Sequence, residues 1–346
     1  MKQTRVRRAA GRAAGAVLLL SGTLLGGALL APLASAAPKC ATGPVTVGFL
    51  PKLDTDPYFK VAETGAVEAQ KEIGGKVVQE APSQATAEAQ IPFINNFVSQ
   101  GVGVIAISGN DANAVAPALR RAAQQGVRVV SYDSDVAASA RSLFFNQAKG
   151  DSLAEMMLES MAQMIGGEGE FAILSSTPTA TNQNAWIAFM KARLKEPQFA
   201  KMKLVQVAYG QESEQINQQQ ALALVQAFPN LKGIIVPAGI GLPAAARALD
   251  QAGSLGKVKL TGLAPATLIK KYIQNGSVQD IWWNVKDLGY LTYYGAQALA
   301  QCKISGKPGD KFKAGRLGDY TVGADGEVVL GPARIVTPAN VDEFKF

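Results

Sequence analysis

Histidine is absent from this 346-residue chain. That absence excludes Ser-His-Asp and Cys-His nucleophilic sites and the usual histidine-containing zinc sites. There are two cysteines, Cys40 and Cys302. They are too few and too far apart for a thiolate metal cluster or a CxxC redox pair. No GxGxxG follows the first strand-like run, where "GFLPKLDTDPYF" stands, and no GxxxxGK[ST] loop occurs anywhere, so nucleotide-dependent chemistry has no motif to rest on. Asp133 and Asp135 are paired carboxylates, but an i, i+2 spacing on a turn does not set up the flanking acid and base of a glycosidase. We expect neither an enzyme nor a cofactor nor a metal.

The first thirty-six residues differ from everything after them. Lys2, Arg5, Arg7, Arg8 and Arg12 precede an apolar stretch that is broken by Gly, Ser, Thr and Pro and ends in Ala34-Ser35-Ala36. This reads as a secretory leader cut before Ala37, rather than as a retained membrane anchor. Either general or twin-arginine export fits the leader. Without its five basic residues the formal net charge falls from +7 to +2. The remaining signs are mixed along the chain, so no basic face for nucleic acid is expected. No later apolar run is long enough to span a membrane. In an exported chain, two cysteines predict one disulfide between Cys40 and Cys302. Lipid attachment at Cys40 is disfavoured, because Pro38 and Lys39 stand where a bacterial lipobox needs small residues.

From Val45 onward, short β-branched runs alternate with stretches at helical spacing, the pattern of βα units around parallel sheets. In the first half the strand candidates are 45–50, 76–81, 102–107, 127–132 and 142–145, with helices near 59–73, 87–100 and 112–125. A second series has strands at 170–174, 203–209, 232–237, 257–262 and 277–283, with helices near 151–165, 183–194, 212–227 and 241–252. The segments beginning "VIAISGNDANAVAPALRRAAQQG" and "GIIVPAGIGLPAAARALDQAGSLG" echo one another and suggest two similarly wound lobes. A helix over 287–304, a polar Gly-Lys loop and an extended tail follow. We expect an α/β protein of two doubly wound parallel-sheet lobes joined by a three-crossing hinge. Lobe 1 takes 43–146 plus 285–315, and lobe 2 takes 147–284 plus 316–346. The crossings are placed near Asn146, Asn284 and Gly315.

Ligands of open parallel sheets bind beyond the carboxyl ends of the strands. The residues found there are Lys52, Asp133, Asp135, Asn146, Asn182, Gln183, Pro237, Gly239 and Asn284. Amides and carboxylates of this kind suit several ligand hydroxyls in a closed cleft. Tyr58 and Phe59 add an apolar face for a sugar ring. Each has a plainer role open to it: a turn cap for Asp133 or Asp135, a helix N-cap for Asn182, core or hinge packing for Tyr58, Phe59 and Trp283, a solvated loop for Lys52.

The stretches "FLPKL", "INNFVSQGV", "PALRRAAQQGVRVVSYDSD", "TATNQNAW", "LPAAA", "GLAPATLIKKYIQNGSVQDIWWNVKDLGY" and "GKPGDKFKAGRLG" carry a likeness that covers the whole chain after its leader. The sequence resembles type I periplasmic sugar-binding proteins of ABC transporters, in the branch of rhamnose-binding and autoinducer-2-binding proteins. That resemblance implies a monomer, periplasmic or at the cell surface, that takes a sugar to a membrane permease. By resemblance to the autoinducer-2 binders, Lys52, Asp133, Gln183, Pro237 and Gly239 fall on ligand-contacting positions. Asn182 stands where those proteins carry an aspartate, and Gly239 where they carry an alanine. The segment around Asn182, "WNVKDLGY" and the Gly-Lys loop look more like the rhamnose-binding side, which implies a 6-deoxyhexose, with autoinducer-2 as the alternative. A transcriptional regulator with the same two-lobed core is disfavoured, since it would carry a DNA-binding helical module where this chain has its leader.

Overall fold

Buried β-branched runs with helices between them leave little choice but parallel pairing with both sheet faces covered. The computed structural model describes residues 39–344; the expected leader over 1–36 lies outside the described residues. The first sheet is laid down by β1 (Thr46–Leu50), α1 (Pro57–Ile73), β2 (Lys76–Gln79), α2 (Ala87–Ser99), β3 (Val104–Ile107), α3 (Ala116–Gln124), β4 (Arg128–Tyr132) and β5 (Leu143–Asn146). The chain then runs through α4 (Gly150–Ile165) into β6 (Gly169–Ser175), α5 (Thr181–Arg193), β7 (Met202–Tyr209), α6 (Glu214–Ala227), β8 (Leu231–Val236), α7 (Gly241–Gln251), β9 (Lys259–Gly262), α8 (Ala266–Gln274) and β10 (Val278–Trp282). It ends with α9 (Val285–Ala300), β11 (Lys311–Lys313), β12 (Asp319–Thr321), β13 (Glu327–Val329) and β14 (Arg334–Val336).

Two six-stranded sheets result, ordered β13-β5-β4-β3-β1-β2 and β14-β10-β9-β8-β6-β7. They share one winding, so the internal echo in the sequence corresponds to a repeated topology. The closing edge strands differ: β13 runs parallel to β5, and β14 antiparallel to β10. The extended tail therefore serves both sheets. β13 still belongs to the first sheet, so the last passage between sheets lies between Val329 and Arg334, not near Gly315. The segment around Gly315 instead sits against α1 and α9, where Arg316 reaches Glu68 and Asp287, while β11 and β12 pair as a separate hairpin.

Sequence spacing places β1 to β10 to within two residues at each end and reads the tail that holds β13 and β14 only as extended, but it misses α8. Its nine residues follow Pro265 with no side-chain cap, so neither length nor start signal marks it. The helix expected over 287–304 begins earlier, at Val285, because Asn284 caps it by accepting a hydrogen bond from the Asp287 N–H at 3.1 Å.

Three buried clusters hold the fold. One lies on the outer face of each sheet, and the largest joins α1, α4 and α9 to both sheets. Within it α1 and α9 touch at two glycines. A Cβ on Gly65 would sit 1.7 Å from the Lys286 carbonyl oxygen, and one on Gly289 would sit 1.8 Å from that of Ala62. Any side chain there would push the helices apart. Cys40 and Cys302 form a disulfide, with Cα atoms 5.3 Å apart, which ties the start of the described chain to the end of α9.

Candidate functional site

The carboxyl ends of the two parallel sheets face one another, and between them lies a cavity of ≈ 610 Å³, its mouth included. Lys52, Tyr58, Phe59 and Asp133 line it from the first sheet's side. Asn182, Gln183, Pro237 and Gly239 line it from the second.

Each polar side chain is held by its neighbours. Lys52 follows β1, is only 6 % exposed, and donates from Nζ to Asn182 Oδ1 at 3.1 Å across the cleft. Its Nζ is 3.9 Å from Asp133 Oδ2. Asp133 stands at the end of β4 with φ +59°, and its Oδ2 accepts a 2.7 Å hydrogen bond from the Ser108 hydroxyl. A left-handed backbone is costly for most residues but accessible to Asp and Asn. Gln183 Oε1 accepts from Ser175 Oγ at 2.7 Å and from the Ser176 N–H at 2.8 Å. With its carbonyl oxygen committed, its NH₂ group is the part left to donate to an occupant of the cavity. Asn182 is not the N-cap of α5, because Ala180 holds that place without a side-chain bond.

Aromatic rings form the wall. Tyr58 and Phe59 meet edge to face at 5.1 Å between centroids, Tyr58 and Trp283 at 6.1 Å, and Phe59 and Tyr132 at 6.2 Å. The Trp283 indole N–H donates to the Tyr58 hydroxyl at 3.2 Å. Burial, with the nearby negative charge of Asp133, pushes the Tyr58 hydroxyl well above its ordinary pKa, so it stays neutral.

Three residues read from the sequence as site candidates have their side chains committed outside this lining. Asp135 is ion-paired with Arg141 at 2.6 Å and accepts from Ser131 Oγ and the Val136 N–H. Asn146 donates to Glu327 Oε1 at 2.8 Å and thereby helps seat β13 on β5. Asn284 caps α9. All three follow strands, but their polar atoms serve a turn, an edge strand and a helix start.

Other lining residues escaped the sequence reading. Asp56 caps α1 by accepting from the Tyr58 N–H at 2.9 Å and also faces the cavity. Burial first, then the negative charge of Glu212, raises its pKa to about 7. Glu212 lies just past β7, so inspecting that strand end would have found it. Burial raises its pKa also. Trp186, Leu263, Ile281 and Val285 add apolar surface. The segment Leu263–Pro265 is steadied from behind by Asp280, whose Oδ1 accepts from the Ala264 N–H at 2.9 Å. Asp280 is fully buried, which raises its pKa well above the usual range and favours the neutral acid.

A cavity between two similarly wound sheets, lined by fixed polar groups from both, suits capture of a ligand. A family model described as a periplasmic binding protein domain matches residues 47–306. The chain belongs to that family. Its fold is the type I form, and like its relatives it is a binding protein and not an enzyme. A solute-binding protein of an ABC transporter from Clostridium phytofermentas, solved with bound L-rhamnose, is 37 % identical, covers 87 % of this chain and 98 % of its own, and superposes with a TM-score of 0.84. LsrB from Clostridium saccharobutylicum, solved with AI-2, is 26 % identical over 87 % of this chain and all of its own, with a TM-score of 0.82. The D-ribose/D-allose-binding protein of Pseudomonas aeruginosa is 24 % identical over 229 residues, 64 % of this chain and 71 % of that protein. No helix among the described residues of this periplasmic binding protein is long and apolar enough to cross a membrane.

Proposed function

We propose that this protein is the exported sugar-binding component of an ABC importer and that its ligand is L-rhamnose or a similar neutral 6-deoxyhexose. The observation that carries this reading is the make-up of the cavity. Donors and acceptors from both sheets (Lys52, Asp133, Asn182, Gln183) surround a space that also offers apolar walls from Trp186, Leu263, Ile281 and Val285. A 6-deoxyhexose asks for that mixture: several hydroxyls to be fixed, and one methyl group to be placed away from polar atoms. The 37 % identity to the L-rhamnose-bound structure supports the same choice.

Autoinducer-2 is the second reading. It is favoured by one observation: Lys52, Asp133, Gln183, Pro237 and Gly239, the positions implied by the resemblance, line one cavity together. Asn182 argues against it, since an amide replaces the aspartate of that group and removes a charged acceptor beside Lys52.

In this reading the sheets belong to two lobes that hinge at the three chain passages, near Asn146, Asn284 and the 330–333 segment. Ligand shifts an open-to-closed equilibrium because it touches both lobes fully only when they are closed. The closed monomer, periplasmic or at the cell surface, is what a membrane permease reads. Calorimetry with L-rhamnose, fucose, ribose, glucose and autoinducer-2, with product analysis, tests this. Tightest binding of L-rhamnose is expected, and micromolar affinity corresponds to about −8 kcal/mol. Conversion of any bound sugar, or no binding across the panel, would overturn the reading.

A further inference from the structure

Two hydrogen bonds tie loops of the first sheet to the start of α5, one inside the cavity and one outside it. Inside, Lys52 Nζ donates to Asn182 Oδ1 at 3.1 Å. Outside, the Ala112 N–H donates to the Thr181 hydroxyl oxygen, also at 3.1 Å. Ala112 lies between β3 and α3, and Thr181 is the first residue of α5. Neither is among the described lining residues of the cavity.

Both bonds are anchored in the same way at each end. On the first sheet's side, Asn110 Nδ2 donates to the Lys52 carbonyl at 3.0 Å, and the Asn110 N–H donates to Gln90 Oε1 at 3.0 Å. Gln90 is fully buried, and its Nε2 donates to the Pro51 and Ser108 carbonyls at 3.1 and 2.8 Å. The Ala112 carbonyl accepts from the Ala137 N–H at 3.1 Å. Lys52 and Ala112 are thereby sewn into one piece. On the other side Thr181 and Asn182 are consecutive, and Asn182 Oδ1 also accepts from the Gln183 N–H at 2.9 Å. The Thr181 hydroxyl serves the opposite loop and not its own helix, which starts without a side-chain cap.

Strand order makes this junction sensitive to hinging. β3 stands two strands from β5, and β6 three strands from β10, the strands that lead into the passages near Asn146 and Asn284. At about 4.8 Å per strand the junction lies roughly 10 to 14 Å from those passages, so rotation about them parts it.

We propose that Thr181 is a positioning residue that sets ligand affinity from outside the cavity: with Ala112 it forms a clasp, made when the lobes close, that keeps Asn182 and Gln183 opposite Lys52. The inference rests on the two-lobed closure above.

Because the clasp touches no ligand, it favours the closed state by the same amount whatever sugar is inside. Affinity for every ligand therefore scales alike, and the order of preference stays as the cavity sets it. The effect falls on release, since the clasp must break before the ligand leaves.

Stopped-flow kinetics with L-rhamnose, and with any other sugar of the panel that binds, test the clasp. Thr181→Val keeps the branched shape and removes the hydroxyl, whereas Thr181→Ser keeps the hydroxyl. The net worth of one neutral hydrogen bond predicts release about two- to thirteenfold faster from the Val variant, with association unchanged and parent behaviour in the Ser variant. Unchanged release in the Val variant, a loss that Ser does not rescue, or an altered order among sugars overturns the proposal. If no sugar of the panel binds, the sugar reading fails by itself, and the free protein decides the clasp. Glu88 is exposed in the first turn of α2, whose cap residue Thr86 accepts from Asn110 Nδ2 through its carbonyl at 3.4 Å. A spin label on Glu88→Cys broadens α5 amide resonances whenever the lobes close transiently, even where the closed state is a minor one. Broadening that weakens with Thr181→Val and returns with Thr181→Ser supports the clasp. Broadening equal in all three proteins, or absent from all three, overturns it.

Discussion

Replacing Asp133 separates two roles that the structure gives it. Its carboxylate accepts from Ser108 Oγ and lies near Lys52 at the cavity wall, while its backbone holds φ +59° with its N–H donating to the Phe145 carbonyl at 3.1 Å. Asp133→Asn keeps a side chain that tolerates the left-handed region and removes only the charged acceptor. A hydrogen bond to a charged group contributes about 1.5–3 kcal/mol, so sugar affinity should fall about 10- to 150-fold. Asp133→Ala loses the same contact and in addition places a simple Cβ in a conformation that costs about 1–2 kcal/mol. Its melting temperature should therefore lie several degrees below that of the Asn variant. Calorimetry with the verified sugar gives the first quantity, and thermal denaturation of the ligand-free variants gives the second. Affinity of Asp133→Asn within threefold of the parent would refute Asp133 as a ligand contact. Equal melting temperatures for the two variants would refute the backbone argument.

The disulfide joins positions 262 apart in sequence, and removing it as the Cys40→Ser, Cys302→Ser double variant should cost about 2–4 kcal/mol of stability. Chemical denaturation measures that loss, and sugar affinity should stay unchanged because neither cysteine lines the cavity. Gly289→Ala puts a Cβ 1.8 Å from the Ala62 carbonyl oxygen, and rigid backbone cannot yield as a side chain would. A loss of about 3 kcal/mol or more is expected, read from the shift in denaturation midpoint. Small-angle scattering with and without saturating sugar should show a smaller radius of gyration when ligand is bound. An unchanged radius, with the free protein already closed, would exclude hinge closure.

The strands and most helices were legible in the sequence because their causes are local. A run such as Val104–Ile107 is buried on both faces and needs no information from afar to read as a parallel strand. The strand-end rule picks out Lys52, Asp133, Gln183 and Pro237, which line one cavity, since parallel strands bring their carboxyl ends to one edge. The rule also selected Asp135, Asn146 and Asn284. It cannot distinguish a polar group that faces a cleft from one consumed by Arg141, by Glu327 or by a helix start.

The amino-acid sequence by itself determined the α/β class, the repeated winding, the absence of histidine and the single available cysteine pair. Each of these is set by composition, by spacing within a few residues, or by counting. Tertiary structure alone decided the rest. β13 pairs with β5 across 181 residues of chain, marked by the Asn146–Glu327 hydrogen bond, so the last passage lies beyond Val329. No pattern within either segment names its partner, because strands of three and four residues carry almost no periodicity of their own. In the same way Asp56 and Glu212, 156 positions apart, share one cavity only because two sheets fold with their carboxyl ends face to face. What raises the pKa of each is first of all burial, and burial is a property of the assembled cleft.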